Sequence, residues 1–174
     1  VWYQSVGKTF QLTTSQFVWP FNATSKGTEM PSTFLSNATI NITQGVTTYD
    51  LSAEANQITL TIGNDALEST SFGDTGRTFV AGLQSVEVTM TLFLAYGGTG
   101  STSETEAALF AMVGKSSTLV ISPSGTTESA TNPEYTITGA YLETFTPINS
   151  TVGELATVDV TFTGGTFARD VTTP

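Results

Sequence analysis

The chain has no cysteine and no histidine among its 174 residues. Without thiols it forms no disulfide, no thiolate metal site and no cysteine nucleophile, and nothing in it reveals a redox compartment. Without imidazole it lacks the commonest general base and the commonest transition-metal ligand, so Ser-His-Asp and Cys-His catalysis are excluded. Charge is scarce at 11%, and cations scarcer still: five Lys and Arg stand against fifteen Asp and Glu, a net charge of -10. Sequence-independent DNA binding draws its affinity from cations that neutralise phosphates, so this chain is expected to repel a duplex. No apolar run approaches the roughly 20 residues of a membrane span, and the first residues lack the cationic start and apolar core of a secretory signal.

What remains is a chain rich in threonine, 39% apolar, with a polar surface made of hydroxyls and amides. Threonine at this level favours strands. The length suits one domain with a real core. Residues 50–92 say most about it. Ile58, Leu60 and Ile62 alternate with Thr59 and Thr61, and Val86, Val88, Met90 and Leu92 alternate with Glu87, Thr89 and Thr91. Each run therefore predicts a strand with one core face and one solvent face. About twenty residues separate the two, more than a hairpin needs, and loops of that length carry function or are disordered. Phe72, Phe79, Val80 and Leu83 within residues 63–82 favour order imposed by a partner, since disordered segments are poor in aromatics.

Elsewhere, a strand is expected through Ala38, Ile40 and Ile42, closed by Gly45, with later strands over 118–122, 135–145 and 155–162. One short helix is expected after the Gly97–Gly100 cluster. Ser103 with Glu106 forms a capping box, Leu109, Met112 and Val113 make an apolar stripe, and Gly114 suits the C-terminal cap. Residues 1–29 hold both tryptophans and no clear periodicity. They are either an N-terminal arm or a mis-assigned leader, with Met30 as initiator behind Lys26-Gly27 codons that can be purine-rich, like a bacterial ribosome-binding site. Residues 30–174 are then a single β domain.

Several strings, in order, resemble the tail tube proteins, or major tail proteins, of long-tailed bacteriophages. They are Asp50-Leu-Ser-Ala-Glu54, Thr70-Ser-Phe-Gly-Asp74 followed by Arg77, and Ala81-Gly82-Leu83 leading into Val86. Downstream come Asn132-Pro-Glu-Tyr135, Gly139 to Thr146, and Val152-Gly153 to Phe162 with Gly164 and Arg169. The resemblance spans roughly residues 36 to 170 and implies a mainly β protein, a barrel or sandwich with one short flanking helix and a long inter-strand loop. It implies hexameric rings stacked into a tube, a lumen that conducts DNA without specific binding, and tape-measure and tail-completion proteins as partners. It places the protein in the virion tail, assembled in the host cytoplasm. Phe72, Gly73, Asp74, Arg77 and Phe79 carry over as the inter-subunit loop contact. Polar strand faces with Thr59, Thr61, Glu87, Thr89, Thr91, Thr157, Asp159, Thr161 and Thr163 become candidates for the lumen wall, Glu87, Thr89, Asp159 and Thr161 foremost. Ring closure would also consume sheet edges that otherwise invite aggregation.

Competing readings are an adhesin or pilin-like β-sandwich that binds a host surface or glycan, and a carbohydrate-active protein using two carboxylates. The Gly97–Gly100 cluster lacks the lysine and spacing of a phosphate loop. Sequons at Asn22, Asn37, Asn41 and Asn149 are of a kind that chance supplies in a Thr-rich chain. Asp65 with Glu68, and Glu104 with Glu106, lack the convergent oxygens of a calcium loop. No enzyme activity, metal or cofactor is expected.

Overall fold

In a computed structural model of the chain, the structure describes Leu35 and residues 37–97, 104–125 and 127–172. The expectations for residues 1–29 and Met30, the Asn22 sequon, most of the Gly97–Gly100 cluster and Ser103 fall outside these residues.

The expected alternating runs all form strands. In chain order the elements are β1 (Thr39–Gln44), β2 (Thr47–Asp50), β3 (Ala55–Glu68), β4 (Phe79–Phe93), α1 (Thr105–Met112), β5 (Ser116–Ser122), β6 (Glu134–Leu142), β7 (Thr157–Thr163) and β8 (Thr166–Asp170). All pairings between named strands are antiparallel, in the order β2-β1-β5-β6-β7-β4-β3, with β8 on β6. The sheet does not close into a barrel; of the two architectures expected, the sandwich describes it. One cluster of buried side chains draws on both wings, Ile40, Ile42, Leu119, Ile121 and Ile137 from one and Val86, Val88, Met90, Leu92, Val158, Val160 and Phe162 from the other. The two wings thus face each other across a common core. Each fully buried large aliphatic or aromatic side chain contributes about 1.5–3 kcal/mol.

The corner between the wings is made of glycine. Phe162 and Thr163 of β7 pair with Leu142 and Tyr141 of β6, and β8 resumes along β6 in the same register, Thr166 opposite Thr138 and Asp170 opposite Glu134. So β7 and β8 are one long strand broken at Gly164-Gly165, where φ is 75° and 91°. Across the ladder Gly139, at φ 85°, is the extra residue of a bulge against β5. Such a backbone is open to glycine and strained for other residues.

The helix docks on the end of β4. Its N-cap is Glu104, with no side-chain cap hydrogen bond. Instead Thr105 Oγ1 donates to the Phe93 carbonyl at 2.7 Å, fixing the first turn to the sheet. Thr105, Ala108, Leu109 and Met112 are buried, an i, i+3, i+4, i+7 stripe. Val113 falls at the C-cap, and Gly114, at φ 74°, ends the helix as expected.

Candidate functional site

The expected wall residues share one face of β3, β4 and β7. Strand register places Thr59 beside Thr89 and Thr89 beside Thr161; Thr61 beside Glu87 and Glu87 beside Thr163; Gln57 beside Thr91 and Thr91 beside Asp159. Three strands therefore present three successive rungs of hydroxyl, amide and carboxylate. Thr157, opposite Phe93, continues the same face. The apolar residues between them, Val88, Met90, Leu92, Val158, Val160 and Phe162, are buried behind the rungs. Among the described residues of these rungs only Thr91 and Asp159 are joined in a side-chain hydrogen bond, the hydroxyl donating to the carboxylate at 2.6 Å. The other rung hydroxyls meet no partner among the described residues and are left for water. The rungs hold two acids and no cation.

The long connection ahead of β4 is mostly strand. Pairing of β3 with β4 continues to Glu68 opposite Phe79, so the unpaired loop shrinks to residues 69–78. Beyond Glu87, where β7 ends, this hairpin leaves the sheet as a two-stranded arm. Where the arm leaves, Asp65 faces two residues, Gly82 and Leu83, in a bulge. Any Cβ at position 82 would lie 2.9 Å from the Asp65 Cβ, so this bulge needs glycine, and bulges increase local twist. The tip is built by its own side chains. Asp74 accepts hydrogen bonds from the Ser71 backbone N–H at 2.8 Å and the Ser71 hydroxyl at 3.2 Å, and Ser69 N–H donates to the Thr78 carbonyl at 2.9 Å.

The residues carried over as the inter-subunit contact are thus gathered on one structure, each with a distinct place. Phe72 is fully exposed at the tip beside Gly73, whose φ is 105°. Asp74 ties the turn. Arg77 approaches Glu68 at 3.9 Å while staying 76% exposed, a contact worth little in water. Phe79 opens β4 and is half exposed, as are Leu67 and Val80, which pair across the arm. Leu67 escaped the sequence reading because no alternation surrounds it. Exposed apolar residues this concentrated mark interaction surfaces.

A second such group, missed in the sequence, lies at the far end of β4 and β7. Ile148, Val152 and Leu155 are exposed on residues 147–156. Leu94 N–H donates to the Ala156 carbonyl at 2.9 Å, the Tyr96 hydroxyl to the Pro147 carbonyl at 2.6 Å, and Asn149 Nδ2 to the Thr157 carbonyl at 3.1 Å. The segment is therefore held in place. Its sequence signal was three aliphatic residues in a turn-forming stretch, without a strand or helix period to single them out.

No family model matches the chain, and no curated protein sequence does. Solved structures do. A chain of the PVC sheath–tube complex of an extracellular contractile injection system superposes with a TM-score of 0.58 at 13% identity, over 86% of this chain and 99% of that one. The SPP1 tail tube gives 0.60 at 12% identity, over 79% and 78%. A chain of the PVC sheath/tube terminator gives 0.56 at 15% identity, over 82% and 99%. With eight antiparallel strands, one helix and a projecting hairpin, the described chain has the fold of tail tube proteins.

Proposed function

We propose that the protein is the structural subunit of a phage tail tube, assembling into stacked hexameric rings whose lumen conducts DNA into the host. The observation that carries this reading is the three-rung face of β3, β4 and β7: a continuous sheet surface with free hydroxyls, Glu87 and Asp159, and no cation. A duplex passing such a wall finds hydrogen-bonding groups already hydrated and negative charge that keeps phosphates off. Screening limits the repulsion to about 8 Å at physiological salt, so the wall acts only on what slides along it. Slipperiness is what a conduit needs.

The arm supplies contacts between subunits, and the free edges of β3 and β8 are consumed when subunits close a ring. The protein then has no reaction of its own, no cofactor, and partners that set tube length and termination, namely tape-measure and tail-completion proteins. It works in the virion tail after assembly in the host cytoplasm. The test is charge reversal on the wall. Glu87→Lys with Asp159→Lys should leave tubes intact and slow DNA ejection from particles that carry it; ejection at the normal rate would remove these rungs from the lumen.

A further inference from the structure

Away from the wall and the arm, a group of acids gathers where β6 begins. Glu134 opens β6 opposite Asp170, which closes β8, and Ser122 at the end of β5 hydrogen-bonds to Glu134 while only 7% exposed. Glu128, in the turn that leads into β6, lies within hydrogen-bonding reach of the Glu134 carboxyl. Its Oε2 is enclosed and meets no hydrogen-bond partner, a costly position for a carboxylate oxygen. The turn keeps its own shape: Ser129 N–H donates to the Asn132 carbonyl at 2.9 Å, Asn132 N–H to the Ser129 carbonyl at 3.1 Å, and Asn132 Nδ2 to the Thr127 carbonyl at 3.3 Å. It can therefore move as a unit.

We propose that this turn, residues 127–133, is a pH-operated latch: Glu134 as a carboxylic acid donates to the Glu128 carboxylate and holds the turn on the sheet, and as a carboxylate it lets the turn go. The charges that face the pair have one sign. Asp170 is the acid beside it on β8, Ser122 on β5 is neutral, and Arg169 stands opposite Tyr135, on the other face of the β6–β8 ladder. Among the described residues no cation is there to hold two ionised carboxylates together, and like charges this close disfavour double ionisation. Burial first, then Glu128 and Asp170, raise the Glu134 carboxyl above its ordinary 4.5, and the Ser122 hydrogen bond only opposes the rise. For an acid raised on folding, the protonated, latched form prevails below the folded value and the released form above it. At neutral pH the Glu134–Asp170 rung and Ser122 then open to solvent; in acid they are covered. The latch belongs to the single protomer and does not depend on the tube reading.

The chain has no native cysteine, so a single nitroxide spin label on Ala130→Cys, at an exposed position of the turn, reports its motion in the full-length protein. Spectra are recorded from pH 7 down to about pH 4, with circular dichroism to verify that the fold persists. A label on Val46→Cys, fully exposed between β1 and β2, is the control. The Ala130→Cys label should be mobile at pH 7 and slow several-fold through one transition centred above 4.5, while the Val46→Cys label does not change. Glu134→Gln, whose amide donates to Glu128 at every pH, should keep the label slow throughout, and Glu128→Ala should leave it mobile throughout. Equal mobility at both ends of the range in otherwise unaltered protein, or a transition that survives Glu134→Gln, would overturn the latch. The same slowing at Val46→Cys would assign the transition to association and overturn it too.

Discussion

At the residue scale, the fold depends on a few positions where chemistry leaves little choice. A Cβ at Gly165 would meet the Thr138 carbonyl oxygen at 2.8 Å and the Ala140 nitrogen at 2.9 Å, on a backbone with φ 91°. Strain of this kind costs about 1–3 kcal/mol before any clash. Gly165→Ala should therefore lower stability by at least about 2 kcal/mol in denaturant titration, whereas Gly45→Ala, with open space around the position, should cost less. Glu134 provides a pH-dependent counterpart. Burial first, then Glu128 and Asp170 nearby, raise its carboxyl above the ordinary 4.5, while a Ser122 hydrogen bond opposes the rise. An acid with a raised folded value favours the fold when protonated, and that contribution disappears as pH rises through the folded value. Glu134→Gln should thus raise the thermal midpoint at pH 7, with the gain vanishing below pH 4.5. Asp170 runs the other way: hydrogen bonds from the Thr172 N–H and hydroxyl lower its value below 3.8, so its contribution holds above that and fades only in stronger acid.

At the element scale, what the sequence disclosed depended on burial. Val86, Val88, Met90 and Leu92 stand out because one face of β4 is in the core and the other is wet. The same strand continues unseen through residues 79–85, because an arm with both faces exposed has no reason to alternate. Strand β8 was missed for a related cause: of its five residues only Phe167 turns toward the core, where it stacks on Tyr135 at 6.0 Å between centroids. Thr105 anchors the helix through a tertiary hydrogen bond, which no local pattern reveals. The candidate contact residues were found as a cluster; their order on a hairpin, with Asp74 spent on the turn, was not. The arm adds no buried side chain to the core at residues 69–78. Deletion of residues 68–78 with a short turn in their place should leave the thermal midpoint within a few degrees and abolish assembly by light scattering. A large loss of stability would assign the arm to folding instead.

At the scale of the whole molecule, the described residues present a polar sheet face, an apolar arm beyond one end of its strands and an apolar segment beyond the other. The polar face of β3, β4 and β7 was legible as alternating threonine. The polarity of the molecule was not, because it comes from the pairing of β4 with β7, strands separated by the helix, β5 and β6 in sequence. Such an arrangement leaves apolar surface exposed among the described residues, so association should be favoured by salts that strengthen burial and by concentration. The most direct measurement is electron microscopy of the purified full-length protein at rising concentration. The expected result is hollow tubes of uniform diameter built from six-subunit rings, with the β3-β4-β7 face toward the lumen. A population that stays monomeric at every concentration, or tubes with that face outward, would contradict the account.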